Sequence, residues 1–465
     1  MTEKPPPEPS EPPEALELRM ELAVRLHQDG ELAKAEDIYR EVLEVQPGNT
    51  TALHLLGVIA LQSGFYEKAL ALIGESLKLA PHFPEALNNM GIVLAKMGRL
   101  EEALLSYQVA IHEKPDYAIA YNHMASALRG LGRLDDAVAS YQQAIILNPE
   151  FAEAHFDLSH IYLLMGRYEE GWQEYGWRRR VAEFKHSDRP FSQAIWDGSN
   201  LDGKTILLYS EQGLGDFLQF VRYLPLMAAG GGRIVLEAPP QMARLLKGFE
   251  TAHTLVPSGT ALPAFDCHAS LMDLPAILGT TLETIPAPPQ YITADADLTN
   301  AWAERLGAWE DFRIGLVWSG NPDNTENAKR SMDSGLLKPL FQIPGVSLYS
   351  LQVGRDGEAS TIFGDAATDL APELTDFADT AAVLENLDLV VSVDTAVAHL
   401  AGAMGRPVWV PLAFMPDWRW MFERGDCPWY PSMRLFRQST AGDWGSVLKR
   451  LSAAIIKEVM KKRAP

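Results

Sequence analysis

The sequence predicts two architectures in series: an all-α helical-repeat solenoid, then an α/β region built as two doubly wound halves. Two observations carry this. Gly30, Gly64, Gly98, Gly132 and Gly166 recur every 34 residues. Beyond about residue 200 that period stops, and short runs rich in Val, Ile and Leu alternate with helical stretches. At 465 residues, 47% hydrophobic and 22% charged, the chain is neither mostly disordered nor fibrous.

Taken in order, residues 1–15 open with MTEKPPPEPSEPPE, which holds six prolines and five charges. Such a stretch buries too little apolar surface to offset its ordering entropy, so a disordered tail is expected. Residues 16–180 carry the repeats. Ala35, Ala69, Ala103 and Ala137 keep the 34-residue step, as do Tyr39, Ile73, Tyr107, Tyr141 and Tyr175. Small residues let two antiparallel helices approach, and the larger side chains fill the groove between units. Pro47, Pro81, Pro115 and Pro149 stop each second helix. This is the tetratricopeptide repeat period, with units at 16–49, 50–83, 84–117 and 118–151. A partial unit from 152 has Gly171 where Ala is expected and no closing proline, so 152–180 reads as a cap. On the concave face, equivalent positions carry Leu55, Asn89, His123 and Asp157. Asn89, His123 and Asp157 either line a groove for an extended peptide or form a solvated helix face.

In the α/β region, TILLY (205–209), RIVLEA (233–238), HTLVP (253–257) and FDCHASL (265–271) read as one set of strands. RIGLVW (313–318), VSLYSLQ (346–352), DLVVSV (388–393) and PVWVPL (407–412) form a second. Their spacing fits parallel sheets with crossover helices. The halves are placed at 181–295 and 296–465, joined through a Pro-, Ala- and Thr-rich link at 281–310, with a last helix at about 443–461.

Composition narrows the function. Forty Lys+Arg against 61 Asp+Glu give a net charge of −21, which argues against broad binding of nucleic acid or anionic membrane. No run approaches the ~18 apolar residues of a membrane span, and the acidic, proline-rich start is unlike a secretory signal. Cys267 and Cys427 make no disulfide framework and read as reduced thiols of a cytoplasmic protein. The eleven histidines show no metal-ligand spacing, and neither a GxSxG elbow nor a P-loop occurs. No metal or cofactor is expected.

Three places could carry chemistry. After TILLY, Gly213 and Gly215 form a tight loop into a helix beginning near Asp216. Asp216 is either a plain N-cap or a general base aimed into a cleft. The spacing is not GxGxxG, which disfavours a nicotinamide dinucleotide. In the second half, Trp318, Ser319, Gly320 and Asn321 end a strand and lead to Lys329 and Arg330, which either neutralise a diphosphate or form an exposed pair. Gln352 ends the next strand run. Asp394, Thr395 and Ala396 then open a helix after DLVVSV, with His399 one turn along on the face of Thr395. The segment 415–438, with Trp418, Trp420 and Trp429 among Arg and Pro, is either a cleft wall or a packing plug.

Residues 196–225 (WDGSNLDGKTILLYSEQGLGDFLQFVRYLP) and 388–400 (DLVVSVDTAVAHL) resemble the bacterial tetratricopeptide-repeat glycosyltransferases. The catalytic part is similar to the heptosyltransferases of glycosyltransferase family 9 and, more distantly, to protein O-GlcNAc transferase. The resemblance covers roughly residues 16–465 and implies a GT-B fold of two Rossmann-like halves. The first half would present the acceptor and the second would hold the nucleotide sugar. Asp216 would be the catalytic base. Gly213, Gly215, Trp318, Ser319, Asn321, Lys329, Arg330, Gln352, Asp394, Thr395, Ala396 and His399 would surround the donor. Ala396 stands where heptosyltransferases usually have glycine, and their Lys-x-Trp-Pro signature is missing, which argues against ADP-heptose as donor. The fused repeats imply a protein acceptor, as in flagellin-modifying enzymes. The expectation is an inverting, metal-independent transfer from a nucleotide sugar to a Ser or Thr hydroxyl. A glycan- or lipopolysaccharide-directed transferase, or a repeat scaffold with an inactive α/β part, is the alternative.

Overall fold

In a computed structural model, residues 13–182, 189–247, 249, 252–308, 310–322, 327–355 and 357–463 are described. The chain forms two compact units, one ending at Leu158 and one running from Ser159. Most of the expected disordered tail lies outside the described residues. Its last three positions, Pro13–Ala15, are helical instead, because they form the first turn of α1 (Pro13–Gln28).

The first unit follows the 34-residue step. α1 pairs with α2 (Leu32–Val45), α3 (Thr50–Gln62) with α4 (Tyr66–Leu79), α5 (Pro84–Lys96) with α6 (Leu100–Glu113), and α7 (Ala118–Gly130) with α8 (Leu134–Leu147). α9 (Ala152–Leu164) and α10 (Tyr168–Tyr175) follow in sequence, the division between the two units falling inside α9. The periodic glycines sit between the helices of each pair at φ of +75° to +81°, the left-handed region where a Cβ is strained. Ala35, Ala69, Ala103 and Ala137 are fully buried, as are Tyr39, Ile73 and Tyr141. Each large apolar side chain buried in this way stabilises the stack by about 1.5–3 kcal/mol.

Gly91 marks the closest helix approach: a Cβ there would lie 2.4 Å from the Tyr107 ring. Gly91→Val should therefore destabilise the repeats by about 1–3 kcal/mol through overpacking. The check is the urea midpoint of the helical circular-dichroism signal, and an unmoved midpoint would contradict it.

The repeat period continues to Tyr175, but packing divides the chain inside α9, so α10 belongs with the α/β unit rather than with the solenoid. The segment expected to start the first half at 181 lies partly outside the described residues.

Within the second unit, β1 (Ala194–Ile195), β2 (Thr205–Tyr209), β3 (Arg233–Ala238), β4 (Thr254–Pro257) and β5 (Cys267–Ser270) make a parallel sheet ordered β1-β5-β2-β3-β4. α11 (Leu214–Phe220) and α12 (Leu224–Ala229) link β2 to β3, and α13 (Leu274–Ile277) follows β5. The central strand TILLY is buried on both faces, which is why it reads as a continuous apolar run.

α14 (Ala296–Leu306) opens the second half, its first turn capped by Asp295 Oδ1, which accepts from the Leu298 N–H at 2.9 Å. Then come β6 (Phe312–Val317), α15 (Asn327–Arg330), β7 (Val346–Ser350), α16 (Glu358–Phe363), β8 (Thr368–Asp369) and α17 (Phe377–Glu385). β9 (Leu389–Ser392), α18 (Ala396–Ala403), β10 (Val408–Leu412), β11 (Met433–Arg437) and α19 (Trp444–Arg463) complete it. The sheet is again parallel, ordered β11-β10-β9-β6-β7-β8. Ile314, Leu316, Leu348, Leu389, Val391 and Trp409 pack against Leu448, Leu451 and Ile455 of α19 as its core. In both sheets the strand order reverses at an inner pair, β2 and β5 in one and β6 and β9 in the other. Such switch points leave a crevice beyond the carboxyl ends of the strands. No described helix is long and apolar enough to cross a membrane.

Candidate functional site

The loop after β2 and the segment after β9 start at these two switch points and meet. α11 packs on α18. A Cβ on Gly215 would lie 2.8 Å from the His399 ring, so glycine is needed for α11 to come this close. Gly215→Val should separate α11 from α18 and perturb Trp420, whose ring packs at a tilt against His399 with centroids 5.1 Å apart. The expected readout is a shifted tryptophan fluorescence maximum, and an unchanged spectrum would contradict it.

Asp216 is N3 of α11, and its Oδ2 accepts from the Gly213 N–H at 2.8 Å, which is the plain capping role. Its Oδ1 accepts from Arg419 Nη2, which comes from the loop after β10. Burial pushes the Asp216 carboxyl up from its ordinary value, against the pull of Arg419. Arg419 is itself held at Nε by Gln219 Oε1 at 2.6 Å and at Nη1 by Asp417 Oδ1 at 2.8 Å.

Asp394 and Thr395 lie between β9 and α18. Thr395 is the N-cap residue, and its hydroxyl pairs with Ser392 Oγ at 2.8 Å rather than capping α18. Burial and then the Asp417 charge push the Asp394 carboxyl up to about 6, against Arg330, whose Nη1 is 3.9 Å away. His399 is buried and shares a 2.8 Å hydrogen bond with the Tyr430 hydroxyl. Burial takes its imidazole down to about 3, so it is neutral at physiological pH. Ala396 is the first residue of α18 and partly exposed.

The other residues singled out from sequence divide into two groups. Gly213, Asn321 and Lys329 are exposed, and Arg330 is half-buried across Gly320, where a Cβ would lie 2.8 Å from its guanidinium. Trp318, Ser319 and Gln352 are instead occupied by the fold. Gln352 Oε1 accepts from the Trp318 and Ser319 N–H groups at 3.0 and 2.8 Å, and its Nε2 donates to the Ser319 carbonyl at 3.0 Å. The Trp318 ring is a core side chain, 1% exposed. The Gln352 side chain thus clamps the ends of β6 and β7, with the Trp318 ring in the core beside it. A cavity of about 430 Å³ lined by Arg355, Gly357, Glu358, Thr361 and Ile362 opens beside this clamp. Glu358 Oε1 accepts there from Ser334 Oγ at 2.8 Å and from Trp318 Nε1 at 3.3 Å.

In the repeat unit, Asn89 Nδ2 donates to His54 Nε2 at 2.7 Å, and His123 Nδ1 bonds Asn88 Oδ1 at 2.9 Å. Asn89 and His123 therefore each commit a hydrogen bond to the neighbouring repeat, along a ladder of first helices. Asp157 faces the Tyr141 hydroxyl.

Several charged residues escaped the sequence reading. Arg178, just after α10, is buried and donates to Glu211 Oε1 and Oε2 at 2.8 and 2.7 Å and to Asp273 Oδ1 at 2.7 Å. Trp172 Nε1 donates to the Thr280 carbonyl at 2.9 Å, and Trp429 Nε1 donates to the Tyr168 hydroxyl at 3.1 Å. α10 and the turn after it thus brace both halves next to the Gly213–Asp216 loop. Arg419 and Tyr430 lie inside 415–438, where clustered Trp and Arg were the available signal. Glu211, two residues before Gly213, had none. Among the described residues, no group of three or more His, Cys, Asp or Glu converges as a metal-ligand set.

A family model for glycosyltransferase family 9 (heptosyltransferase) matches residues 357–409, the segment from the cavity through α18 to β10. Tetratricopeptide models match 54–118 and 125–166. These matches support a glycosyltransferase with a tetratricopeptide-repeat region. Protein FlbA of Caulobacter vibrioides is 31% identical over 328 residues, covering 63% of this chain and 53% of that protein. The chain spans about half the length of the curated relative it matches. Among solved structures, a thermophilic TPR protein of Thermus thermophilus is 24% identical over 36% of this chain and 92% of its own, with a TM-score of 0.33. Pseudomonas aeruginosa pilF is 19% identical over 36% of this chain and 76% of its own, with a TM-score of 0.34.

Proposed function

We propose that the α/β unit is an inverting glycosyltransferase of the GT-B kind, moving a sugar from a nucleotide sugar to a Ser or Thr hydroxyl of a protein recruited by the repeats. The observation that supports this best is the meeting of the Gly215–Asp216 loop with His399 and the Asp394–Thr395 turn, one from each half. In this reading the acceptor oxygen attacks the anomeric carbon from the face opposite the diphosphate. The hydroxyl proton goes to the Asp216 carboxylate, the new C–O bond forms, and the old C–O bond to the diphosphate breaks. Its electron pair leaves on the phosphate oxygen. Arg330, Lys329 and the free N–H groups opening α18 stabilise that charge, so no metal is needed. The cavity beside Glu358 takes the nucleoside end.

The test is a thermal-shift panel with UDP, ADP, GDP, CMP and dTDP. Saturation at ~100 times the dissociation constant adds about 2.7 kcal/mol, several degrees for a unit of this size. One nucleotide should respond, with the response lost in Thr395→Ala. With the matching nucleotide sugar and a Ser/Thr peptide, Asp216→Asn should lose about 100-fold or more in kcat, and EDTA should leave the rate unchanged. Silence from all five nucleotides would refute the reading.

A further inference from the structure

Asp216 and Arg419 come from opposite halves and meet in a water-poor junction. Arg419 is 7% exposed and packs on the Trp418 ring at 4.3 Å and the Phe220 ring at 5.9 Å. Two of its three nitrogens are anchored elsewhere: Nε on Gln219 and Nη1 on Asp417, leaving Nη2 aimed at Asp216 Oδ1. A guanidinium held at two points presents its third nitrogen in a fixed direction. The Gly213 N–H fixes the other carboxylate oxygen. Each oxygen has two acceptor directions, and among the described residues each accepts one hydrogen bond, which leaves one direction for the acceptor hydroxyl.

We infer that Arg419 is a positioning residue for Asp216, orienting its carboxylate and keeping it ionised once the two halves meet. This rests on the proposed function. Its consequence is that neither half alone holds a competent base; the contact between them assembles it. Arg419 acts through Asp216 and does not hold the donor. The proton from the acceptor hydroxyl still goes to Asp216.

The charged and titratable groups facing Asp216 are Arg419 and Asp417 from the loop after β10, Arg330 from α15 and Tyr175 from α10. The neutral His399 of α18 packs on the adjoining Gly215. Arg419 is the cation in direct contact, so its loss leaves the carboxylate buried beside Asp417 without its counter-ion. Asp216 then protonates at higher pH.

The experiment is the pH–rate profile of the full chain with its responding nucleotide sugar, for wild type, Arg419→Gln and Arg419→Lys. Arg419→Gln should lower kcat about 100-fold with donor KM nearly unchanged. It should also move the acid limb up by about one pH unit. Arg419→Lys, which restores the charge without the fork, should recover part of both. An acid limb that stays put, with the rate lost equally at every pH, would overturn the inference, as would a loss confined to donor KM. If Arg419→Gln does not fold, Gln219→Leu releases the Nε anchor while keeping every charge. A smaller upward shift is then expected, and none would overturn the inference. A wild-type chain that turns over no nucleotide sugar sinks the proposed function instead, so the two failures are separable.

Discussion

Arg178→Met should destabilise the α/β unit by about 3–5 kcal/mol, the typical cost of removing one partner of a buried ion pair. Arg178 is 1% exposed, and its guanidinium is shared between Glu211 and Asp273 while lying over the Tyr175 ring at 5.0 Å. Burial alone would raise the Glu211 carboxyl. The hydrogen bonds and charge of Arg178 overrule it and leave that carboxyl below its ordinary value. Methionine fills much of the volume but leaves Glu211 a buried anion with only the Ser270 hydrogen bond and the more distant Arg179 charge to hold it. Asp273 keeps Arg179, so the damage concentrates at Glu211. The melting temperature of the second unit should fall by roughly 10 °C. Adding Glu211→Leu should restore a substantial part, because removing both charges also removes the desolvation penalty. A double variant no better than Arg178→Met would show that the pair is not what holds the loop. The same geometry predicts that a chain cut at 190, which keeps all described strands, is less stable than one cut within α9.

The repeats were legible because their constraints are local. A left-handed turn every 34 residues admits glycine and little else, and the tight helix contact admits alanine. The long central strands were legible because burial on both faces forces continuous apolar runs. What was missed lacks such a signal. β1 and β8 are two residues each, too short for any period. β11, MRLFR, sets two arginines among three apolar residues at the sheet edge and follows an irregular Trp-rich loop, so it merged with that loop. The division inside α9 was invisible because α10 keeps the repeat's tyrosine and small residue while its outer residues pack on Trp418 and Thr280. At the site, Asp216, Asp394 and His399 stood out because strand ends and helix starts are marked in sequence. The partner of Asp216, Arg419, some 200 residues away, was not, since pairing across two halves leaves no local spacing.

Acidification should loosen the repeat stack well before the carboxylates in general titrate, and two buried histidines are the cause. Burial lowers both His54 and His123 from 6.5 to about 4, His54 also being pulled up by Glu85 and pushed down by His27. Both are therefore neutral in the folded stack at pH 7. The His54 hydrogen bond needs that state, because His54 Nε2 accepts from the Asn89 amide and a protonated ring would present a second donor; His123 Nδ1 donates to Asn88 Oδ1 in either state, so its cost is that of burying the charge. Between pH 6.5 and 4 the unfolded chain binds more protons than the folded one, so stability rises with pH across this window. It is complete above 6.5, falls as pH drops below 6.5, and levels out below about 4. Each histidine should cost roughly 2–3 kcal/mol by the lower end. Asp394, pushed up to about 6, works the other way in the second unit, favouring the folded state as pH falls towards 4. Amide hydrogen exchange separates the two. Protection in α3, α5 and α7 should fall between pH 7 and 4.5, after correction for the intrinsic rate. A His54→Asn/His123→Asn variant should lose most of that dependence. If variant and wild type change in parallel, the titration lies elsewhere and the ladder is not the sensor.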